Sequence, residues 1–143
     1  MNVIAWSQNL TPQVAETAGA TLVSKNELFD QADILTIHVV LSSRTRGLIG
    51  AAELARMKPT ARLINTSRGP IVEEQALISV LKNKQIAGAA IDVFDVEPLP
   101  LDHPFRALDN VLATPHIAYV SQDLYKTFYE DTVSSIRKWL DTR

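Results

Sequence analysis

Residues 62 to 77 read RLINTSRGPIVEEQAL. A short apolar run ends abruptly at Asn65-Thr66-Ser67-Arg68-Gly69-Pro70. A helical pattern then opens at Val72, with Ala76, Leu77, Val80 and Leu81 on one stripe and polar residues opposite. Strand, corner and helix in this order make one βα unit, and its repetition along the chain decides the fold. The small hydroxyl residues, Gly69 and Pro70 each have a turn-forming reason to stand at the corner. Arg68 has none. A long cation at the carboxyl end of a buried strand needs another explanation.

The same alternation extends in both directions. Upstream, DILTIHVV (33 to 40) is a near-continuous apolar strand of the kind covered on both faces by helices, and a short helix over 51 to 57 is stopped by Pro59. Further back, NVIAW (2 to 6) reads as a strand. Thr11 then caps a helix with Pro12 at its first position, and Gly19 closes it. ATLV (20 to 23) is a second short strand, and Ser24-Lys25-Asn26-Glu27 is a capping box opening another helix. Downstream, IAGAAIDVF (86 to 94) and NVLAT (110 to 114) are two more buried strands. A long amphipathic helix runs from Ser121 to the end, with Leu124, Phe128, Val133, Ile136, Trp139 and Leu140 as its packing stripe. The chain is thus expected to be one α/β domain, a Rossmann-like parallel sheet with helices on both faces.

The bulk numbers narrow the function. Among 143 residues, charges nearly balance at a formal net of -2, which argues against nucleic-acid binding and against a basic membrane-surface protein. No apolar run approaches the roughly 18 residues of a transmembrane helix, and no signal-peptide pattern opens the chain. There are no cysteines, which excludes thiolate chemistry and fits a cytoplasmic location. The three histidines have no metal-ligand spacing, so no metal is expected. No serine stands in a GxSxG context, which leaves nucleophilic hydrolysis without support.

In parallel sheets ligands bind beyond the carboxyl ends of the strands. Four residues there form a coherent chemical set: Arg68, Asp92, Glu97 and His116. Histidine exchanges a proton near neutral pH, and a neighbouring carboxylate orients its ring. Arginine offers a planar fork to a carboxylate or a developing oxyanion. Together they suit reversible reduction of a carbonyl beside a carboxylate. Each has a plainer reading as well. Glu97 before Pro98 fits a solvated loop, His116 after Pro115 a turn, Asp92 an Asx-turn, and Arg68 a surface ion pair with Glu73 or Glu74. His38, inside an apolar strand, is expected to be buried and hydrogen-bonded, and His103 to be a loop residue.

Three stretches, LINTSRGPIVEEQALISVL, GAAIDVFDVEPLP and NVLATPHIAY, closely resemble the D-isomer-specific 2-hydroxyacid dehydrogenases, and TIHVVLSSRTRGLIG (36 to 50) resembles the stretch before the arginine in that family. The resemblance covers essentially the whole chain. It implies that Arg68 binds the substrate carboxylate and carbonyl, that His116 is the general acid and base, and that Glu97 pairs with it. It places Asp92 near the nicotinamide carboxamide and Thr66 and Ser67 along the nicotinamide ribose. Val39, Val40 and Thr45 match cofactor-lining positions. The implied cofactor is NAD or NADP, and the implied substrate a small 2-hydroxy or 2-oxo acid.

Departures from the family qualify this. Its glycine-rich GxGxxG turn, which cradles a pyrophosphate, is not found in the chain, nor is a substrate domain. The 143 residues are therefore expected to be a partial dinucleotide-binding domain, inactive or crippled in isolation. Ser7 stands where NAD-preferring relatives commonly place an aspartate, which leaves NAD against NADP open. Ala118-Tyr119 replaces small glycines, which alters the pocket. A sheet without its central strand exposes unpaired edges, so a homo-oligomer is expected. A nucleotide-sensing or corepressor-like binding protein and a nonfunctional fragment are the competing functional classes.

Overall fold

The computed structural model describes residues 1–143. Its elements run β1 (Ile4–Ala5), α1 (Pro12–Thr17), β2 (Thr21–Leu22), α2 (Lys25–Gln31), β3 (Ile34–Ile37), α3 (Ala51–Leu54), β4 (Arg62–Asn65), α4 (Glu74–Lys82), β5 (Gly88–Ile91), β6 (Val111–Ala113) and α5 (Gln122–Asp141). All strand pairs are parallel, in a four-stranded sheet of order β3-β4-β5-β6 and a separate pair β1-β2. The α/β architecture expected from the alternation is the one observed.

The helix starts follow local chemistry. The Thr11 hydroxyl accepts from the Val14 amide, with Pro12 at the first helical position. Ser24 and Glu27 form the full reciprocal box, at 3.2 and 2.8 Å. Gly19 adopts a left-handed φ of 72° beyond the end of α1, where a Cβ would be strained.

The core lies on one side of the four-stranded sheet. Leu35, Ile37, Leu63, Ala89 and Ile91 point into it and meet Leu54, Ile71, Leu77, Ile78 and Leu81. The other face is not covered as the sequence reading of residues 33 to 40 expected: Ile34 is 58% exposed and Leu112 65%. Topology explains this. Each strand from β3 to β6 pairs with the next in sequence, and right-handed crossovers then place every connection on the same face. An open trough of about 660 Å³, lined by Ile34, Arg62, Ile64, Ile86, Ala90 and Leu112 among others, remains on the opposite face.

α5 also departs from expectation. None of its 20 residues is buried, so Leu124, Phe128, Val133, Ile136, Trp139 and Leu140 form an exposed stripe rather than a packed one. No helix is long and apolar enough to cross a membrane.

Candidate active site

The parallel sheet brings the carboxyl ends of β3, β4, β5 and β6 to one edge, and the polar residues singled out above follow those ends. The corner after β4 is built on Asn65, a side chain only 2% exposed. Its Nδ2 donates to the carbonyl of Arg68 at 3.0 Å, and its Oδ1 accepts from the amide of Ser67 at 3.0 Å. The Ser67 hydroxyl donates to the carbonyl of Val39 at 2.7 Å, which ties this corner to the chain beyond β3. Arg68 is left exposed. Its Nη1 donates to the carbonyl of Ser67 at 2.6 Å, and no ion pair forms with Glu73 or Glu74.

Gly69 fits because it has no side chain. A Cβ there would overlap the carbonyl group of Phe94 and stand 2.7 Å from the amide nitrogen of Asp95. The corner that presents Arg68 is therefore pressed against the segment that presents Glu97. The amide of Phe94 donates to Glu97 Oε1 at 2.9 Å, and Glu97 Oε2 lies 2.7 Å from His116 Nδ1. Burial pushes the Glu97 carboxyl up. Hydrogen bonds from His116 and the Phe94 amide, with the positive charges of His116 and Arg68, outweigh that and hold it below the ordinary range. The His116 side chain is 37% exposed, and its Nε2 has no partner within the chain.

Asp92, directly after β5, is 3% exposed. It accepts from the Thr114 hydroxyl at 2.6 Å, the Ile117 amide at 2.9 Å and the Ala118 amide at 2.8 Å. Burial again pushes the carboxyl up, and these donors together with the charge of His116 bring it below its ordinary value.

The depressed carboxyls give a pH prediction. Each stabilises the fold fully above its unfolded value of about 4, and that contribution drains as pH falls through its folded value. Asp92→Asn and Glu97→Gln should each flatten the decline of Tm below about pH 5. An undiminished decline in Asp92→Asn would show that its ionised form is not favoured in the fold.

The residues matched to cofactor-lining positions divide. Val40 is 84% exposed, and Thr66 is exposed beside Arg68. Val39 and Ser67 are half-buried at the same edge. Thr45 shapes the intervening loop, donating to the carbonyl of Val40 at 2.7 Å and accepting from the amide of Ser42 at 2.8 Å. Ser7 follows β1 in the separate two-stranded sheet and is half-buried, apart from the sheet edge that carries the others. The mouth around Arg68, with its hydroxyls and exposed valine, fits the nicotinamide end of a dinucleotide. The residues of this chain provide no glycine-rich cradle for the pyrophosphate.

Two histidines lie elsewhere. His38 is not buried: the β3 ladder ends at Ile37, and His38 is exposed, with Nε2 3.0 Å from the Thr36 hydroxyl. His103 is a loop residue, but its side chain is only 12% exposed, and its Nε2 lies 3.2 Å from Glu74. Sequence reasoning passed over Asn65 and Thr114. An Asn at a strand end ahead of a turn signalled the first; nothing local signalled the second.

Residues 1–118 match the family described as D-isomer specific 2-hydroxyacid dehydrogenase, NAD binding domain. A D-3-phosphoglycerate dehydrogenase of Synechocystis is 39% identical over 137 residues, covering 96% of this chain and 24% of that protein. A glyoxylate reductase of Aeropyrum pernix is 42% identical over 86% of this chain and 37% of its own length. Among solved structures, a phosphoglycerate oxidoreductase of Vibrio cholerae superposes with a TM-score of 0.89 at 34% identity, over 100% of this chain and 46% of that one. The chain thus spans less than half the length of each of these relatives. By the match over residues 1–118 and these relatives, the chain belongs to the D-isomer specific 2-hydroxyacid dehydrogenase family, within the NAD-binding domain.

Proposed function

We propose that this chain carries the proton-transfer and carboxylate-binding groups of an NAD(P)-dependent oxidoreductase that interconverts a 2-hydroxy acid and a 2-oxo acid. The observation that carries the reading is the 2.7 Å contact of Glu97 with His116 Nδ1, which leaves Nε2 without a partner in the chain. When bound, the nicotinamide supplies or accepts the hydride at the 2-carbon. His116 gives a proton from Nε2 to the carbonyl oxygen in reduction and takes it back in oxidation. Glu97 orients the ring and stabilises its charged form. Arg68 takes the substrate carboxylate in its fork and polarises the carbonyl, so orientation and charge stabilisation act together. Val40, Thr66 and Ser67 would line the nicotinamide and its ribose, with Ser7 toward the adenosine side. The small acid and the choice of NAD or NADP are part of this proposal, and in isolation the 143 residues are expected to bind the dinucleotide weakly and turn over slowly.

The test titrates NADH and NADPH fluorescence, then follows cofactor consumption with glyoxylate, hydroxypyruvate and pyruvate. Slow consumption that depends on the 2-oxo acid is expected. Cofactor binding without consumption in the presence of any of the three acids would sink the proposed chemistry.

We also propose that the chain self-associates, because the open sheet face and the unpacked stripe of α5 both expose apolar side chains to water. Sedimentation should show a concentration-dependent oligomer; a clean monomer at high concentration would contradict it.

A further inference from the structure

We infer that His103 is a positioning residue: its contact with Glu74 seats the loop after β5 on α4 and so holds Glu97 against His116. Glu74 opens α4, shortly after the Arg68 corner, and His103 stands at the far end of the loop that carries Glu97. One contact thus ties together the two segments that present the site. It spans 3.2 Å from His103 Nε2 to Glu74 Oε1, between side chains only 12% and 18% exposed, where little water competes for it. The bonds of the ring also fix where its proton lies. His103 Nδ1 accepts from the amide of Phe105 at 3.3 Å, so that nitrogen is bare, and the proton of the neutral ring stands on Nε2, facing Glu74. One nitrogen caps the 3-10 turn Pro104–Arg106, and the other reaches α4.

The route from this clasp to Glu97 is short. The His103 ring packs on Phe105 with centroids 4.9 Å apart, and Phe105 lies 6.3 Å from Phe94. Both phenylalanines are buried. On the outgoing side of the loop, the Phe94 amide holds Glu97 Oε1 at 2.9 Å. On the returning side, Arg106 donates to the carbonyls of Pro100 and Leu99, both at 2.8 Å, just beyond Glu97. The loop around Glu97 is therefore held from both directions, and the second carboxylate oxygen meets His116 Nδ1 at 2.7 Å. A carboxylate that must aim one ring needs such a seat, because a shift of about 1 Å in its loop loses the hydrogen bond.

The test uses the 143-residue chain labelled with ¹⁵N-histidine at about pH 8, where neutral imidazole prevails, and reads each ring by long-range ¹H–¹⁵N spectra. Two rings should carry opposite tautomers: His103 with its proton on Nε2, and His116 with its proton on Nδ1, facing Glu97. His103→Asn keeps an acceptor for the Phe105 amide and gives up the reach to Glu74, whereas Glu74→Ala removes the acceptor on α4. Either should replace the single His116 tautomer by a mixture, while the His38 signals stay in place. Glu74→Gln keeps an acceptor oxygen and should leave the His116 spectrum as in the parent. An unchanged His116 tautomer in both His103→Asn and Glu74→Ala would overturn the proposal. So would equal losses in Glu74→Gln and Glu74→Ala, or a change at His38 as large as that at His116, which marks general loosening. The proposal rests on reading His116 as the proton carrier. Turnover that survives His116→Asn would sink that reading, while the clasp is judged by spectra that need no substrate.

Discussion

Replacing His116 by Asn should lower the turnover number for 2-oxo acid reduction by about 10²- to 10⁴-fold, the usual worth of a positioned general acid. That corresponds to about 2.7–5.5 kcal/mol of transition-state stabilisation. Asn is the informative replacement because the backbone at this position has a φ of 58°, and asparagine tolerates that region better than most residues. The loop should keep its course, and the Ile117 and Ala118 amides should still reach Asp92. What disappears is a group that releases a proton near neutral pH. Glu97 loses its ring partner but keeps the Phe94 amide at 2.9 Å. The expected signature is therefore a collapse of kcat with little change in Tm or in cofactor affinity. Full turnover in the variant would show that the proton comes from elsewhere, and the site assignment would fail with it.

Gly69→Ala should destabilise the fold by about 1–3 kcal/mol or more, the range for forcing atoms into a packed site. The reason lies in what the new methyl group would meet. Its neighbours are the carbonyl of Phe94 and the amide of Asp95, backbone atoms that cannot swing aside as a flexible side chain would. Either β4's corner or the segment after β5 must move. Both sides belong to the proposed site: Arg68 immediately precedes the glycine, and the Phe94 amide holds Glu97. A fall in Tm on the order of 5–10 °C is expected, together with weakened turnover. An unchanged Tm with unchanged turnover would mean that the two segments are not in contact as described. Helix propensity does not enter, since Gly69 opens a single 3-10 turn and lies outside α4.

Much of this arrangement was legible from neighbouring residues alone, because the forces that set it act over a few positions. Apolar runs of about four to nine residues separated by helical stripes were enough to place every strand. Thr11 and Ser24 each accept from an amide three residues on, so the starts of α1 and α2 were visible as caps. Arg68, Glu97 and His116 stood out because polar residues after parallel strands collect at one edge. The two glycine roles differ in this respect. Gly19 ends a helix by its own backbone geometry, whereas Gly69 is needed because of a segment 25 positions away in sequence.

Other features came only from the way the chain packs on itself. The apolar run through His38 could not show where the β3 ladder would stop, since that depends on how far β4 extends beside it; pairing ends at Ile37 and Asn65, and His38 emerges into solvent. The face on which Ile34 and Leu112 lie is open because successive right-handed crossovers all fall on the other side, a property of strand order and not of those residues. The stripe of α5 is the same in sequence whether packed or bare. Arg68 was expected either at a site or in an ion pair with Glu73 or Glu74; only the folded corner showed that no such ion pair forms and that Arg68 is left exposed. Asp92 and Thr114 stand 22 positions apart and meet because β5 and β6 are adjacent. Residue types and their spacing thus determined the elements, their caps and the candidate reactive groups. Their orientation was decided by strand adjacency, since a hydrogen bond between distant residues exists only once the sheet has brought its ends together.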